Sequence, residues 1–255
     1  GQDGALSYLY YSDRIYQLPL GMIGIAFGVV LLPDITRKLR GGDERGAKGS
    51  ISRGSDFAML LTLPAAVAMI VIPVPIISTI FERGEFTRDG TLNTAAALAG
   101  FAIGLPGYVL VKVLQPGYFA REDTKRPMIM AAITVGVNIA LSLALFPFFQ
   151  HVGIAVATAV SAWVNVALLV RGLRGFWQPD VGLVAKVLRM VAASLLMGAV
   201  LWGVQQLMSG WFEGGFALKA AGLAALVSIG VVAYFAAAVA MGATSLSALK
   251  SGFRR

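Results

Sequence analysis

The stretch YYSDRIYQLPLG, Tyr10 to Gly21, sets an Asp-Arg pair inside a segment otherwise built for lipid, since Met22 to Leu32 carry no charge. A guanidinium suits phosphate in a dry site, because its planar fork donates two hydrogen bonds and it stays charged. A helix over 5–32 puts Arg14 about nine residues in, ~13 Å deep at ~1.5 Å per residue. That is close to the middle of a ~30 Å hydrocarbon core. Charge there costs ~3 kcal/mol or more, so Arg14 must face a bundle interior or a wet cavity. Asp13 points about 100° away on the same helix and is a poor partner. Arg14 is therefore expected to meet another anion, from a second helix or from a ligand. Tyr10, Tyr11, Ser12, Tyr16 and Gln17 add polar tips over nearly two turns. Pro19 cannot donate to the carbonyl of Ile15 and loosens the helix, and Gly21, Gly24 and Gly28 offer a small-residue face for close packing.

Lys112 is the second intramembrane cation, in GYVLVKVLQPGYFARED between Pro106 and Pro116. It falls late in its span, where it can either snorkel to the interface or line the inner mouth of a cavity. The candidate substrate-contacting set is thus Arg14, Asp13, Gln17, Tyr10 and Lys112. A third polar group, Asn138, Ser142 and Thr158, lies on two adjacent antiparallel spans. It fits hydrogen bonding across helices or, less well, a small-cation site, since neither span supplies the carboxylate a hard cation favours.

Positioning these residues falls to long apolar helices. The 255 residues are 57% hydrophobic and 13% charged, against about a quarter charged in a soluble domain. Runs of about 20 apolar residues match the thickness of a bilayer, and their length excludes the short alternating segments of a membrane β-barrel. The expected fold is all-α: a polytopic membrane helix bundle with seven spans, near 5–32, 55–80, 91–119, 127–148, 152–171, 187–208 and 217–241. Connections rich in basic residues alternate between them with connections that hold few. Sixteen of the 21 basic residues fall in 33–54, in 120–126, around 172–186 and in the tail with Lys250, Arg254 and Arg255. The positive-inside rule places these loops and the C-terminus in the cytoplasm and residue 1 outside. An external start implies an odd number of helices before Gly1, as in the C-terminal part of a longer protein. The net charge of +8 is then a matter of membrane orientation, with no nucleic-acid partner expected.

The 41–54 stretch, GGDERGAKGSISRG, reads as a flexible charged connector. Ile35 and Leu39 before it would let one short turn lie on the membrane surface. Trp177 and Trp211 fall near span ends, where indole rings favour the interface. Without cysteine there are no disulfides or thiolate metal sites. The single histidine, His151, reads as a loop residue near the interface. The acids sit almost entirely in loops, no His, Asp or Glu pair has ligand spacing, and no phosphate-cradling loop leads to Lys and Ser/Thr. Neither an enzyme nor a nucleotide motor is expected, and movement across the membrane is the better class. No cofactor is expected beyond coupling to membrane potential or a monovalent cation.

SYLYYSDRIYQLPLGMIGIAFGVVLLP, FERGEFT and LVKVLQPGYFAREDTKRP resemble signatures of the MurJ (MviN) family of lipid II flippases, within the multidrug, oligosaccharidyl-lipid and polysaccharide exporter superfamily. The likeness covers residues 1–175, and 176–255 match by hydropathy and position. The resemblance implies spans eight to fourteen of a fourteen-span, two-lobed exporter of the bacterial cytoplasmic membrane. Residues 1–175 would form the core of the second lobe, and 176–255 two further spans with a groove for a polyprenyl tail, where Gly198, Gly203, Gly222 and Gly230 leave room. It implies that lipid II, the undecaprenyl-pyrophosphate-linked peptidoglycan precursor, crosses to the periplasmic leaflet by alternating access. Membrane lipids and an N-terminal lobe would be the other partners. Arg14 matches a cavity arginine thought to meet the pyrophosphate. Gln17 stands where some members carry an acid, and Asn138 and Thr158 fall near a sodium region of some relatives. An exporter of another polyprenyl-linked oligosaccharide or a drug, and a non-transporting scaffold for cell-wall synthesis, are the alternatives.

Overall fold

The computed structural model describes residues 5–83 and 86–244, which are helical apart from short connections. In chain order the helices are α1 (Ala5–Arg40), α2 (Glu44–Val71), α3 (Pro73–Phe81), α4 (Arg88–Ala102), α5 (Leu105–Phe119), α6 (Lys125–Gly172), α7 (Val181–Leu207) and α8 (Phe216–Ala240). Among the described residues, Glu44–Val71, Arg88–Phe119, Lys125–Gly172, Val181–Leu207 and Phe216–Ala240 are long and apolar enough to cross a bilayer. At 36 residues α1 is also long enough, and it runs past the expected span to carry Arg37, Lys38 and Arg40 in its last turn.

Two spans expected to be continuous are broken where the chain loses backbone donors. Pro73, without an N–H, opens α3 immediately after the cap of α2 at Ile72. Pro106 lies in the first turn of α5, after a break at Ile103 and Gly104. That break frees the Ile103 carbonyl, which accepts a hydrogen bond from Trp163 Nε1 at 2.9 Å. Conversely, α6 is 48 residues long yet folds back on itself at Gln150 (φ 49, ψ −129). Asn138 and Thr158, 20 residues apart, are hydrogen-bonded at 3.2 Å, whereas a straight helix would separate them by ~30 Å. The two antiparallel arms, 125–149 and 151–172, correspond to the spans expected at 127–148 and 152–171. The Gln150 conformation costs about 1–3 kcal/mol, which the packing of the arms offsets.

The second arm lies against α4 and α5 through small residues, with Gly100 on Ala155, Gly104 on Ala159 and Gly107 on Ala162. A Cβ on Gly104 would fall 2.7 Å from the Cα of Ala159, so only glycine permits this approach. Tyrosine hydroxyls then donate to backbone carbonyls between helices: Tyr108 to Thr158 at 3.0 Å, Tyr118 to Leu169 at 2.6 Å and Tyr234 to Leu60 at 2.9 Å. The first two join α5 to the second arm and the third joins α8 to α2. α7 packs on both α2 and α8. Here the glycines expected to leave room for a lipid tail serve helix packing instead. Gly198 abuts Val67, Gly230 abuts Leu201 and Gly222 abuts Phe212, and only Gly203 of the four has open space beside it. Across α7 and α8, small residues sit opposite branched or aromatic ones, and the space is filled.

The 41–54 stretch is not a flexible connector. Asp43 caps α2 by accepting from Gly46 N–H, and the helix is formed from Glu44 onward. Asp34 receives Lys38 Nζ at 2.6 Å, Ser50 Oγ at 2.6 Å and Arg37 Nη2 at 3.0 Å. Those hydrogen bonds, led by Lys38 and then Ser50, outweigh burial and hold the Asp34 carboxyl at about 2. Ile35 is fully buried and Leu39 packs against the core, so the turn that carries them faces the bundle. Trp177 is likewise buried, donating to Ser52 Oγ at 2.8 Å, while Trp211 is exposed. The basic tail, Lys250, Arg254 and Arg255, lies outside the described residues.

Candidate functional site

The burial pattern of α1 splits its polar stretch into two faces. Ser12, Ile15 and Tyr16 turn inward against α4 and α5, while Leu6, Tyr10, Arg14, Gln17 and Leu18 lie on exposed positions. Inward, Tyr16 stacks on Phe101 at 5.7 Å and meets Tyr108 edge-on at 5.6 Å. Tyr11 packs on Phe81 and Phe86, anchoring the start of α1 to the end of α3. Ser12 Oγ returns its proton to the carbonyl of Tyr8 at 2.7 Å. These contacts fix the rotation of α1 and so decide what its other face presents.

On the exposed face Arg14 Nη2 donates to the Tyr10 hydroxyl at 2.7 Å, with the guanidinium carbon 4.9 Å from the ring centroid. Asp13 is engaged by Gln17, whose amide donates to it one turn on. Among the described residues no carboxylate lies within 4.0 Å of Arg14. The neighbouring acid is satisfied elsewhere, and the guanidinium keeps most of its five donors free of acidic partners. Such a group, steadied by a phenol, is arranged to take a phosphate or carboxylate by its fork.

Lys112, exposed on α5, lays its stem against α1, with Cγ 3.6 Å from the place a Cβ on Gly24 would take. Gly24 therefore serves the close approach read from sequence, whereas Gly21 has open space beside it, and the surroundings of Gly28 lie outside what is described. From Arg14 to Gly24 is ten residues, about 15 Å along α1. The structure thus places Lys112 of α5 beside α1, about ten residues beyond Arg14.

Asn138 and Thr158 are brought together across the arms of α6, where Thr158 Oγ also donates to Ile154 O and its carbonyl accepts from Tyr108. Ser142 makes no hydrogen bond among those described. No group of three His, Asp or Glu side chains with metal-binding proximity occurs among the described residues. His151 is not an exposed loop residue. It is buried at the start of the second arm, with Nε2 3.1 Å from the carbonyl of Asn93 and its ring 5.4 Å from that of Tyr8. Because a carbonyl can only accept, Nε2 carries the proton there.

Two features escaped the sequence reading. Glu82, capping α3, receives Lys219 Nζ at 3.0 Å, Thr91 Oγ at 2.7 Å and Arg88 Nη1 at 3.4 Å. Burial pushes its carboxyl up, but the bonds from Thr91 and Lys219 bring it below the usual carboxylate range. Residues 82 and 219 lie 137 positions apart, and their sequence signal is no more than a charge at each of two span ends. The other feature is an apolar slot of about 200 Å³ between α2, α5 and α7, lined by residues including Met59, Leu110, Leu114, Val187 and Leu188. It follows from packing that hydropathy does not encode.

Known proteins similar to this chain give it a family. The model for lipid II flippase MurJ matches residues 2–245. The probable lipid II flippase MurJ of Rhizobium meliloti (strain 1021) is 42% identical over the whole chain and 48% of its own length. That of Vibrio cholerae is 36% identical over 94% of this chain and 46% of its own. A solved structure described as lipid II flippase MurJ in an inward closed conformation superposes with a TM-score of 0.76 at 25% identity, covering 92% of this chain and 46% of that one. A MOP superfamily transporter from Pyrococcus furiosus shares the fold, with a TM-score of 0.52 at 18% identity over 93% of this chain and 55% of its own. The chain spans about half the length of the relatives it matches. It belongs to the lipid II flippase MurJ family.

Proposed function

We propose that this chain is one half of a flippase that moves lipid II from the cytoplasmic to the periplasmic leaflet by alternating access, with Arg14 holding the pyrophosphate. The observation that carries this reading is a guanidinium in a family-matching span, exposed, steadied by Tyr10 and without a carboxylate partner among the described residues. Tyr10, Asp13 and Gln17 keep it unpaired and oriented, and Lys112 supplies a second positive charge about 15 Å further along α1. The exposed stripe of α1 would face the other half of the protein across a shared cavity. The apolar slot beside Leu110 would receive part of the polyprenyl tail. By the positive-inside rule, the end of the bundle that carries Arg37, Lys38 and Arg40 would lie on the cytoplasmic side of a bacterial inner membrane. The protein would catalyse no bond change. Asn138 and Thr158 would serve a coupling cation only if an additional ligand joined them.

The test is complementation of a flippase-depleted bacterium by the full-length protein carrying this half, with Arg14 intact or changed to Ala or Lys. Rescue by the parent, loss in Arg14→Ala and partial recovery in Arg14→Lys is the expected result. Full rescue by Arg14→Ala at equal expression would overturn the role given to Arg14. Failure of a well-expressed parent would favour an exporter of another polyprenyl-linked sugar.

A further inference from the structure

At the end of the bundle away from Arg37, Lys38 and Arg40, a groove of about 540 Å³ runs between α3 and α8, bordered by Thr79, Ile80, Arg83, Phe216, Leu223 and Val227. We propose that this groove binds an anionic phospholipid of the adjoining leaflet, its phosphate on Arg83 and one acyl chain along α8.

Arg83 is exposed and already oriented. Its guanidinium carbon lies 4.0 Å from the centroid of the Phe216 ring, Nη2 donates to the Thr79 carbonyl at 3.3 Å, and among the described residues its other donors have no protein partner. The adjacent acid does not quench it, because Glu82 is taken up by Lys219, Thr91 and Arg88. The same bonds pin α8 to the end of α3, so the two walls keep their spacing. The N-cap of α8 is Gly215, which has no side chain to cap the first turn. The positive end of the helix therefore adds to the field at Arg83.

The rest of the groove is chemically unlike its mouth. From Phe216 to Val227 is eleven residues, about 16 Å of helix, close to one leaflet of a ~30 Å core. Ala220 and Ala224 keep its floor shallow along this length. A cation at the water-facing end of a one-leaflet apolar track fits a lipid with a charged head and a chain, where a soluble anion would use only the mouth. Arg14 and its surroundings play no part in this site.

Native mass spectrometry of the purified intact protein, titrated separately with phosphatidylglycerol and phosphatidylcholine of equal chain length, tests this. The expected result is about tenfold tighter phosphatidylglycerol binding, reduced in Arg83→Ala to the phosphatidylcholine level and intermediate in Arg83→Lys. Ala224→Trp, which fills the track, should weaken both lipids, with thermal unfolding measured to show that each variant is folded. Unchanged preference in Arg83→Ala together with unchanged binding in Ala224→Trp would overturn the proposal. So would displacement of phosphatidylglycerol by equimolar undecaprenyl pyrophosphate in the parent but not in Ala224→Trp, since the groove would then be a polyprenyl site.

Discussion

Lys219 and Arg14 are cations on helices of one bundle, and the structure treats them in opposite ways. The Lys219 side chain is 12% exposed and meets Glu82 at 3.0 Å, with Thr79 bonding to its backbone carbonyl. Arg14 is exposed and meets a phenol, although an aspartate is its sequence neighbour. A charge that serves the fold is matched by an opposite charge brought from a distant element. At Arg14 the nearest acid has been diverted to Gln17, and a ligand can supply the match. Under the proposed function, the contrast is one between a structural charge and a substrate-binding charge.

The comparison can be broken from either side. The largest effect is expected from Arg14→Glu, which should reduce lipid II transport by the full-length protein more than about 100-fold, because a like charge then faces the pyrophosphate. Its thermal unfolding should barely move, since exposed substitutions usually stay within about 0.5 kcal/mol. Lys219→Ala should do the reverse, lowering stability by about 2 kcal/mol as Glu82 loses its cation in a partly buried setting, with substrate affinity unchanged. Denaturant unfolding beside a binding isotherm distinguishes the two. Tyr10→Phe removes only the hydroxyl that accepts from Arg14, so affinity should fall about fivefold, near 1 kcal/mol.

The smallest effect concerns acid. Asp34 is depressed to about 2 in the folded protein, so its contribution is complete above the ordinary carboxylate value and is lost as pH falls through about 2. Asp34→Asn should remove about 1 kcal/mol at neutral pH and flatten the stability profile below about pH 4. An acid profile identical to that of the parent would show that the Lys38–Ser50 cluster contributes nothing.

Much of this was legible in the residues. Apolar runs marked the spans, Arg14 stood out as a misplaced charge, and the poor geometry of an adjacent Asp–Arg pair already implied that the two would not meet. Helix breaks at Pro73 and Pro106 were harder to place, because proline in a membrane helix can kink, break or be tolerated according to its neighbours. The fold of Asp34, Lys38 and Ser50 into one cluster was hidden. The pattern of GGDERGAKGSISRG is that of a solvated loop, and only the return of α2 beside α1 gives its hydroxyl a carboxylate. Gly198 and Gly230 misled for a related reason. A small residue signals close approach, and whether a lipid or a valine fills the space depends on the partner helix. The burial of His151 rests on Asn93 and Tyr8, which no local pattern connects to it.

Binding of lipid II to the purified full-length protein, comparing parent with Arg14→Ala by native mass spectrometry, tests the central assignment most directly. A loss of tenfold or more, with binding of undecaprenol (the same tail without pyrophosphate) unchanged, is the result expected of a guanidinium that holds the head group. Equal affinity for lipid II in parent and variant would contradict it and make Arg14 a structural charge like Lys219.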